Sequence, residues 1–214
     1  MQHQIRAMFF DFDGVIWDSE AEIYKGVCGV YRHFGREPPD FTEVWQSISA
    51  PYSEWWRSRG FTANERDIWN IFRQHADISR ARPKPEAKHV MSRLLEYHLP
   101  CFIVSASDRW TIENLLHREN MRGHFAGVYG DAEHTKDERI LETLSVLEID
   151  PRDAIFVGDR PSDIRDGRNA GVVTVAYIGN HPVEELLGRA APDHLIRSLT
   201  DLLRIIERPP TASP

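Results

Sequence analysis

A gap constrains this chain more than any other feature. Four apolar runs are too short for helices and read as buried strands: residues 6–11, 101–105, 153–159 and 172–176, with a weaker one at 125–129. About 90 residues separate the first two, whereas a crossover between parallel strands needs only about a dozen. The later runs alternate with amphipathic stretches such as 138–147, which places Ile140, Leu141, Leu144 and Leu147 at helical spacing. Strand and helix in alternation predict an α/β fold built on a doubly wound, Rossmann-like parallel sheet. The gap must then hold a structure of its own.

Inside it the signals are helical. Ser19-Glu20-Ala21-Glu22 reads as a capping box leading into Ile23, Val27, Val30, Tyr31 and Phe34, with Gly35 as the stop. A second helix is predicted from Asp40, with Phe41, Val44, Trp45 and Ile48 on one face. A third covers 52–59 and stops at Gly60; Thr62 with Glu65 forms another capping box before Ile68, Ile71, Phe72 and Ile78. Arg82-Pro83-Lys84-Pro85 reads as a hinge, and 86–97 as the crossover helix. The expected organisation is a catalytic core of residues 1–16 and 84–208, an inserted α-helical cap at 17–83, and a disordered tail at 209–214.

Composition removes several classes. A hydrophobic content of 41% supplies a core without disulfides or structural metal, and Cys28 and Cys101 have no ligand spacing, so both read as buried thiols. No apolar run approaches bilayer length and the first residues do not resemble a signal peptide, so a cytoplasmic protein without a membrane partner is expected. A net charge of −7 with no basic stripe argues against nucleic acid as a partner.

The strand ends carry the chemistry. In a parallel sheet the carboxyl ends of the strands face one crevice, and ligands bind there. Here they finish in Asp11-Phe12-Asp13-Gly14, Ser105-Ala106-Ser107-Asp108 and Gly158-Asp159-Arg160-Pro161-Ser162-Asp163, while Lys136 opens a helix. Four carboxylates gathered at one edge repel unless a proton or cation intervenes. Mg²⁺ suits such a set, since it takes a few carboxylates together with water and phosphate oxygens. A carboxylate with a free oxygen can then attack phosphorus, dividing a slow hydrolysis into two displacements.

With these motifs in order, the chain resembles the haloacid dehalogenase-like hydrolases with a helical cap after the first strand, nearest in pattern to phosphoglycolate phosphatase-like and β-phosphoglucomutase-like members. Asp11-Phe12-Asp13-Gly14-Val15 matches the first motif, Ser105 the second, Lys136 the third, and Gly158-Asp159-x-x-x-Asp163 the fourth. The resemblance implies Asp11 as nucleophile and metal ligand, and Asp13 as general acid/base with its carbonyl on the metal. It implies Ser105, with the Ala106 and Ser107 amides, as the phosphoryl-oxygen cradle, Lys136 as a neutralising charge, Asp159 as completing a Mg²⁺ site, and Asp163 as acting on that site from behind the direct ligands or through water. Thr135-Lys136-Asp137 departs from the family's usual Lys-Pro, which leaves Lys136 open to a solvated-surface reading. Ser105 is open to a helix-cap reading, and so are Asp159 and Asp163.

Asp13 selects among the reactions that the resemblance allows. Dehalogenases and phosphonatases lack that second carboxylate; a phosphate ester needs an acid for its departing alkoxide. Phosphomutase relatives carry a cap cation for a second phosphate, and Ser49-Ala50-Pro51-Tyr52 has none. The expectation is a phosphatase of a small phosphorylated metabolite, monomeric or weakly dimeric, with a mutase or a silent phospho-ligand binder as the alternatives. A receiver domain is disfavoured because receivers have no helical insertion. Among cap residues, Tyr52, Trp55, Trp56 and Arg57 are candidates to line the pocket, while most cap tryptophans read as core.

Overall fold

The computed structural model describes residues 4–48, 51–130, 135–178 and 190–207. Among them six strands form one sheet: β1 (Ala7–Phe10), β2 (Cys101–Ser105), β3 (Gly127–Gly130), β4 (Ala154–Gly158), β5 (Val173–Tyr177) and β6 (His194–Ile196). The order is β3-β2-β1-β4-β5-β6 and every pairing is parallel. β1 is central, with Phe10 opposite Ile103 on one side and Val157 on the other. The chain runs outward from β1 through β2 and β3, then returns to β1's other flank, and this reversal opens a crevice at the strand ends.

Pleating sends alternate residues of each strand to opposite layers. Met8, Phe10, Ile103 and Val157 pack with Val90, Met91 and Leu94 of α5 (Ala87–Glu96), with Ile112 of α6 (Arg109–Arg118) and with Leu202 of α9 (Asp201–Glu207). Ala7, Phe9, Val104 and Phe156 pack with Ile140 and Leu144 of α7 (Lys136–Leu147). α8 (Pro161–Asn169) packs on β4 and β5. Strands apolar on both faces are what a sheet covered on both sides requires.

The long gap folds into four helices with a separate aromatic-rich core: α1 (Glu20–His33), α2 (Phe41–Ser47), α3 (Tyr52–Ser58) and α4 (Glu65–His75). α1 and α4 pack closely because α1 carries glycine at the contact. A Cβ on Gly26 would stand 2.5 Å from the Phe72 ring. The two strands of chain joining this module to the sheet are zipped together. Asp18 N–H donates to Arg82 O at 2.8 Å and Lys84 N–H to Ile16 O at 2.9 Å. Lys84 Nζ bridges Asp18 Oδ1 at 2.8 Å and Glu20 Oε1 at 2.6 Å.

Three local expectations are corrected. Ser19 stands before α1 but its side chain caps nothing; its hydroxyl is drawn to Asp13 instead. α4 is capped by Asn64, whose Oδ1 accepts from Arg66 N–H at 2.8 Å, so Thr62 is not the cap. β6 was missed because three residues with the pattern His-Leu-Ile, two of them exposed, give no periodicity to detect. The proposed tail at 209–214 lies outside the described residues.

Candidate active site

The crevice at the sheet's switch point holds the polar strand ends. Asp11 follows β1 directly, and its backbone N–H continues the ladder by donating to Val157 O at 2.9 Å. Its Oδ1 accepts from Phe12 N–H at 2.7 Å, and its Oδ2 lies 2.9 Å from Lys136 Nζ. The same Nζ reaches Asp163 Oδ1 at 2.7 Å. Lys136 is therefore no surface lysine: as the first residue of α7 it is carried into the crevice between two buried carboxylates. Asp163 Oδ2 accepts the Arg160 backbone N–H at 3.1 Å and so fixes the first turn of α8.

Asp13 takes a different environment. The Ser19 hydroxyl donates to its Oδ1 at 2.5 Å, and the Ser107 hydroxyl donates to Oδ2. Two buried oxygens thus have two donors, one from the start of the helical module and one from the loop after β2. Ser105 is buried, and its Oγ accepts from Ser107 N–H at 3.1 Å. The cap of α6 is Asp108, whose Oδ1 accepts from Thr111 N–H at 2.9 Å, which removes the helix-cap reading of Ser105. Ala106, between them, lies in the same loop.

Asp159 completes the cluster. Ligand oxygens of Asp11, Asp159 and Asp163 all lie within 4.8 Å of one another, and all three residues are buried. The Asp13 side chain is not one of the three. Asp159 Oδ2 accepts from Trp45 Nε1 at 2.9 Å, while Oδ1 has no hydrogen-bond partner among the described residues. A buried, unpartnered carboxylate oxygen beside two more carboxylates fits a hard divalent cation held by oxygen ligands. Gly14 makes the approach possible. It has φ of +81°, and a Cβ there would stand 2.1 Å from Asp159 Oδ2.

The electrostatics follow from burial. Desolvation pushes Asp11 up to about 6 against the pull of Lys136, with Asp163 adding repulsion. Asp159 is raised well above the usual carboxylate range by burial, with Asp163 and Asp11 adding to the shift and Arg160 opposing it. Burial works to lower Lys136, yet Asp11 and Asp163 outweigh it and the ammonium is held charged.

Two cap-side residues join the site. Trp45, on α2, reaches Asp159 across the boundary between helical module and sheet. Tyr52, at the start of α3, lies close enough to Asp13, Asp11 and Arg160 that their charges act on its hydroxyl, whose pKa is raised first by burial. Of the four cap candidates only Tyr52 is brought there. Trp55 is packed in the module's own core with its Nε1 on Ser47 Oγ at 3.2 Å, and Trp56 and Arg57 line a separate cavity of about 310 Å³. Ser49 and Ala50 lie outside the described residues; Pro51 and Tyr52, the rest of that stretch, carry no cation. Sequence reasoning placed Trp45 with the module's core, where it does pack, read Ser19 as a helix cap and gave Arg160 no role. Only their position across from Asp159 and Asp13 reveals them.

A crevice of this composition on this topology defines a class. The chain belongs to the haloacid dehalogenase-like hydrolase family, whose model matches residues 8–177. It is a phosphoric monoester hydrolase of that family. Over 216 residues it is 28% identical to a protein of Caldanaerobacter subterraneus subsp. tengcongensis provisionally named pyrophosphatase PpaX, covering 95% of this chain and 96% of that one. It is 25% identical to a phosphoglycolate phosphatase of Synechococcus elongatus, covering 94% and 97%. Its fold is shared by a haloacid dehalogenase-like hydrolase of Streptococcus pneumoniae with a TM-score of 0.79 at 21% identity, covering 95% of this chain and 99% of that one. Among the described residues no helix is long and apolar enough to cross a membrane.

Proposed function

We propose that this chain hydrolyses a small phosphorylated metabolite through a phosphoaspartate formed on Asp11, with Mg²⁺ held by Asp11, Asp159, Asp163 and the Asp13 carbonyl. The observation that carries this reading is the meeting of Asp11 with Lys136 on one side and two further buried carboxylates on the other, with an oxygen of Asp159 left without a partner. Bound there, the cation would offset the repulsion among the carboxylates and the charge of the phosphoryl oxygens.

The residues divide the work as follows. A carboxylate oxygen of Asp11 attacks phosphorus, and the bond to the leaving oxygen breaks. Asp13 donates a proton to that oxygen from its carboxyl group. Lys136 neutralises charge on the transferring group, and Ser105 with the Ala106 and Ser107 amides binds its oxygens. Water then attacks the phosphoaspartate, Asp13 takes back the proton, and phosphate leaves with Asp11 restored. Residues 17–83 serve as the cap; Trp45 and Tyr52 close the crevice from that side and exclude bulk water during the first transfer.

Phosphate release from phosphoglycolate, pyrophosphate, sugar phosphates and an aryl phosphate, with Mg²⁺ or with chelator, tests the reading. Turnover is expected to require the ion and to be lost in Asp11→Asn. Turnover that survives Asp11→Asn sinks the phosphoaspartate, and a wild type inactive on every compound sinks the hydrolase.

A further inference from the structure

The motif residues account for one cation in the crevice, Lys136, but the structure holds a second. Arg160 lies between Asp159 and the start of α8, and is only 5% exposed. Its backbone serves α8, and its side chain turns toward the helical module. The guanidinium stands 4.5 Å from the centroid of the Trp45 ring and near enough to Tyr52 that the charge of each acts on the other. Phe41 also stacks with Trp45, 5.3 Å away with 12° between the ring planes. The guanidinium is thus held in orientation by an aromatic face of the helical module.

Those contacts fix it without satisfying it. A guanidinium has five N–H donors, and Nε is buried with no hydrogen-bond partner among the described residues. The carboxylate oxygen nearest it, Asp159 Oδ1, is 3.9 Å away, too far for a hydrogen bond, and is itself without a partner. The two orphans call for opposite partners. Asp159 Oδ1 suits a cation; Arg160 suits an anion. An arginine buried beside an incomplete counter-charge is costly unless something bound there completes it, and the planar fork matches a carboxylate or phosphate.

Position says which part of a substrate that would be. The phosphoryl group belongs at Asp11 and Lys136, so the leaving group points away from the sheet toward α2 and α3, where Arg160 meets Trp45 and Tyr52. Charge agrees with this. With Asp13 holding the proton it donates, Asp11, Asp159 and Asp163 against Lys136 leave two negative charges, which a divalent cation offsets. Arg160 then adds a positive charge that an anionic group of the substrate can meet.

We propose that Arg160 is the specificity-determining residue of this site, pairing with a second anionic group on the leaving side of the substrate. This rests on the hydrolase reading above and narrows it. The substrates are phosphate esters or anhydrides whose leaving group carries its own carboxylate or phosphate, and uncharged sugar or alcohol leaving groups are disfavoured.

Matched substrate pairs test this: 2-phosphoglycolate against 2-hydroxyethyl phosphate, and pyrophosphate against methyl phosphate. Wild type is expected to favour the charged member of at least one pair by on the order of 100-fold in kcat/KM. Arg160→Gln lowers turnover of both members but collapses their ratio, and Arg160→Lys keeps an intermediate ratio because it retains charge without the fork. Methylenediphosphonate, a competitive inhibitor by the same pairing, should lose potency in Arg160→Gln far more than inorganic phosphate does. If Arg160→Gln does not fold, the wild-type ratios, the two inhibition constants and Arg160→Lys still decide. A wild type that hydrolyses both members of each pair equally overturns the assignment alone. So does an unchanged ratio in Arg160→Gln, which would make Arg160 only a brace between module and sheet. A wild type inactive on all four compounds removes the hydrolase reading, and this one with it.

Discussion

Replacing Lys136 with Met isolates the charge at the centre of the site. Met keeps much of the aliphatic stem and deletes the ammonium, whose Nζ lies 5.8 Å from the centre of the Phe156 ring. Asp11 Oδ2 and Asp163 Oδ1 then lose the contacts of 2.9 Å and 2.7 Å that Lys136 makes with them. Removing one partner from a buried ion pair costs roughly 3–5 kcal/mol. Protonation can recover part of this, because burial already pushes Asp11 up to about 6 with the lysine present. A carboxyl whose folded pKa exceeds its unfolded value of 3.8 stabilises the native state fully below 3.8 and loses that contribution as pH rises through the folded value. The variant's deficit should therefore be small near pH 4 and full by pH 8. The pKa of Lys136 is itself raised, so it stays protonated throughout that window and does not supply the pH dependence. Urea unfolding in chelator at pH 5 and pH 8 reads the difference directly. Equal deficits at the two pH values, or less than about 1 kcal/mol at pH 8, would refute the electrostatic account.

Three other substitutions probe the neighbours. Gly14→Ala places a Cβ 2.1 Å from Asp159 Oδ2 at φ of +81°; Mg²⁺ affinity by calorimetry should weaken at least about tenfold, and an unchanged affinity would remove Asp159 from the ion site. Ser19→Ala withdraws the hydroxyl from Asp13 Oδ1 and should lower kcat about tenfold; unaltered kcat would leave Ser19 a packing residue. Asp166 is pushed up to about 6 by burial first and then by Asp163, with Asp137 adding to this and Lys136 and Arg165 opposing it. Its ionised form therefore costs native stability above that pH, so Asp166→Asn should stabilise by about 1 kcal/mol at pH 8 after allowance for solvent screening and by almost nothing at pH 4. A gain equal at both pH values contradicts the sign.

The sheet and the acidic crevice were legible because each depends on local pattern. An apolar run such as Cys-Phe-Ile-Val-Ser can bury both faces only inside a covered sheet, and the residue ending it must then face the crevice. That logic reaches Asp11, Ser105 and Asp159 from sequence alone. It also reaches the inserted helices, whose apolar spacing survives without knowledge of their partners. It fails at Ser19, where a local cap competes with a buried carboxylate six residues earlier and the carboxylate wins. Charge-assisted hydrogen bonds to a buried acceptor are the stronger of the two.

The sequence by itself determined a parallel α/β sheet, an insertion after its first strand, and a set of carboxylates at its strand ends. Tertiary structure decided which side chains cross from the insertion to those carboxylates. Trp45 and Tyr52 have the helical spacing of core residues, and nothing in their spacing separates them from Trp55 and Trp56. All four pack in or against the module's core, and the seat of α2 and α3 additionally carries the first pair to Asp159 and Arg160. Periodicity encodes which face of a helix is buried, but not what it is buried against, and that depends on contacts more than 100 residues apart in the chain.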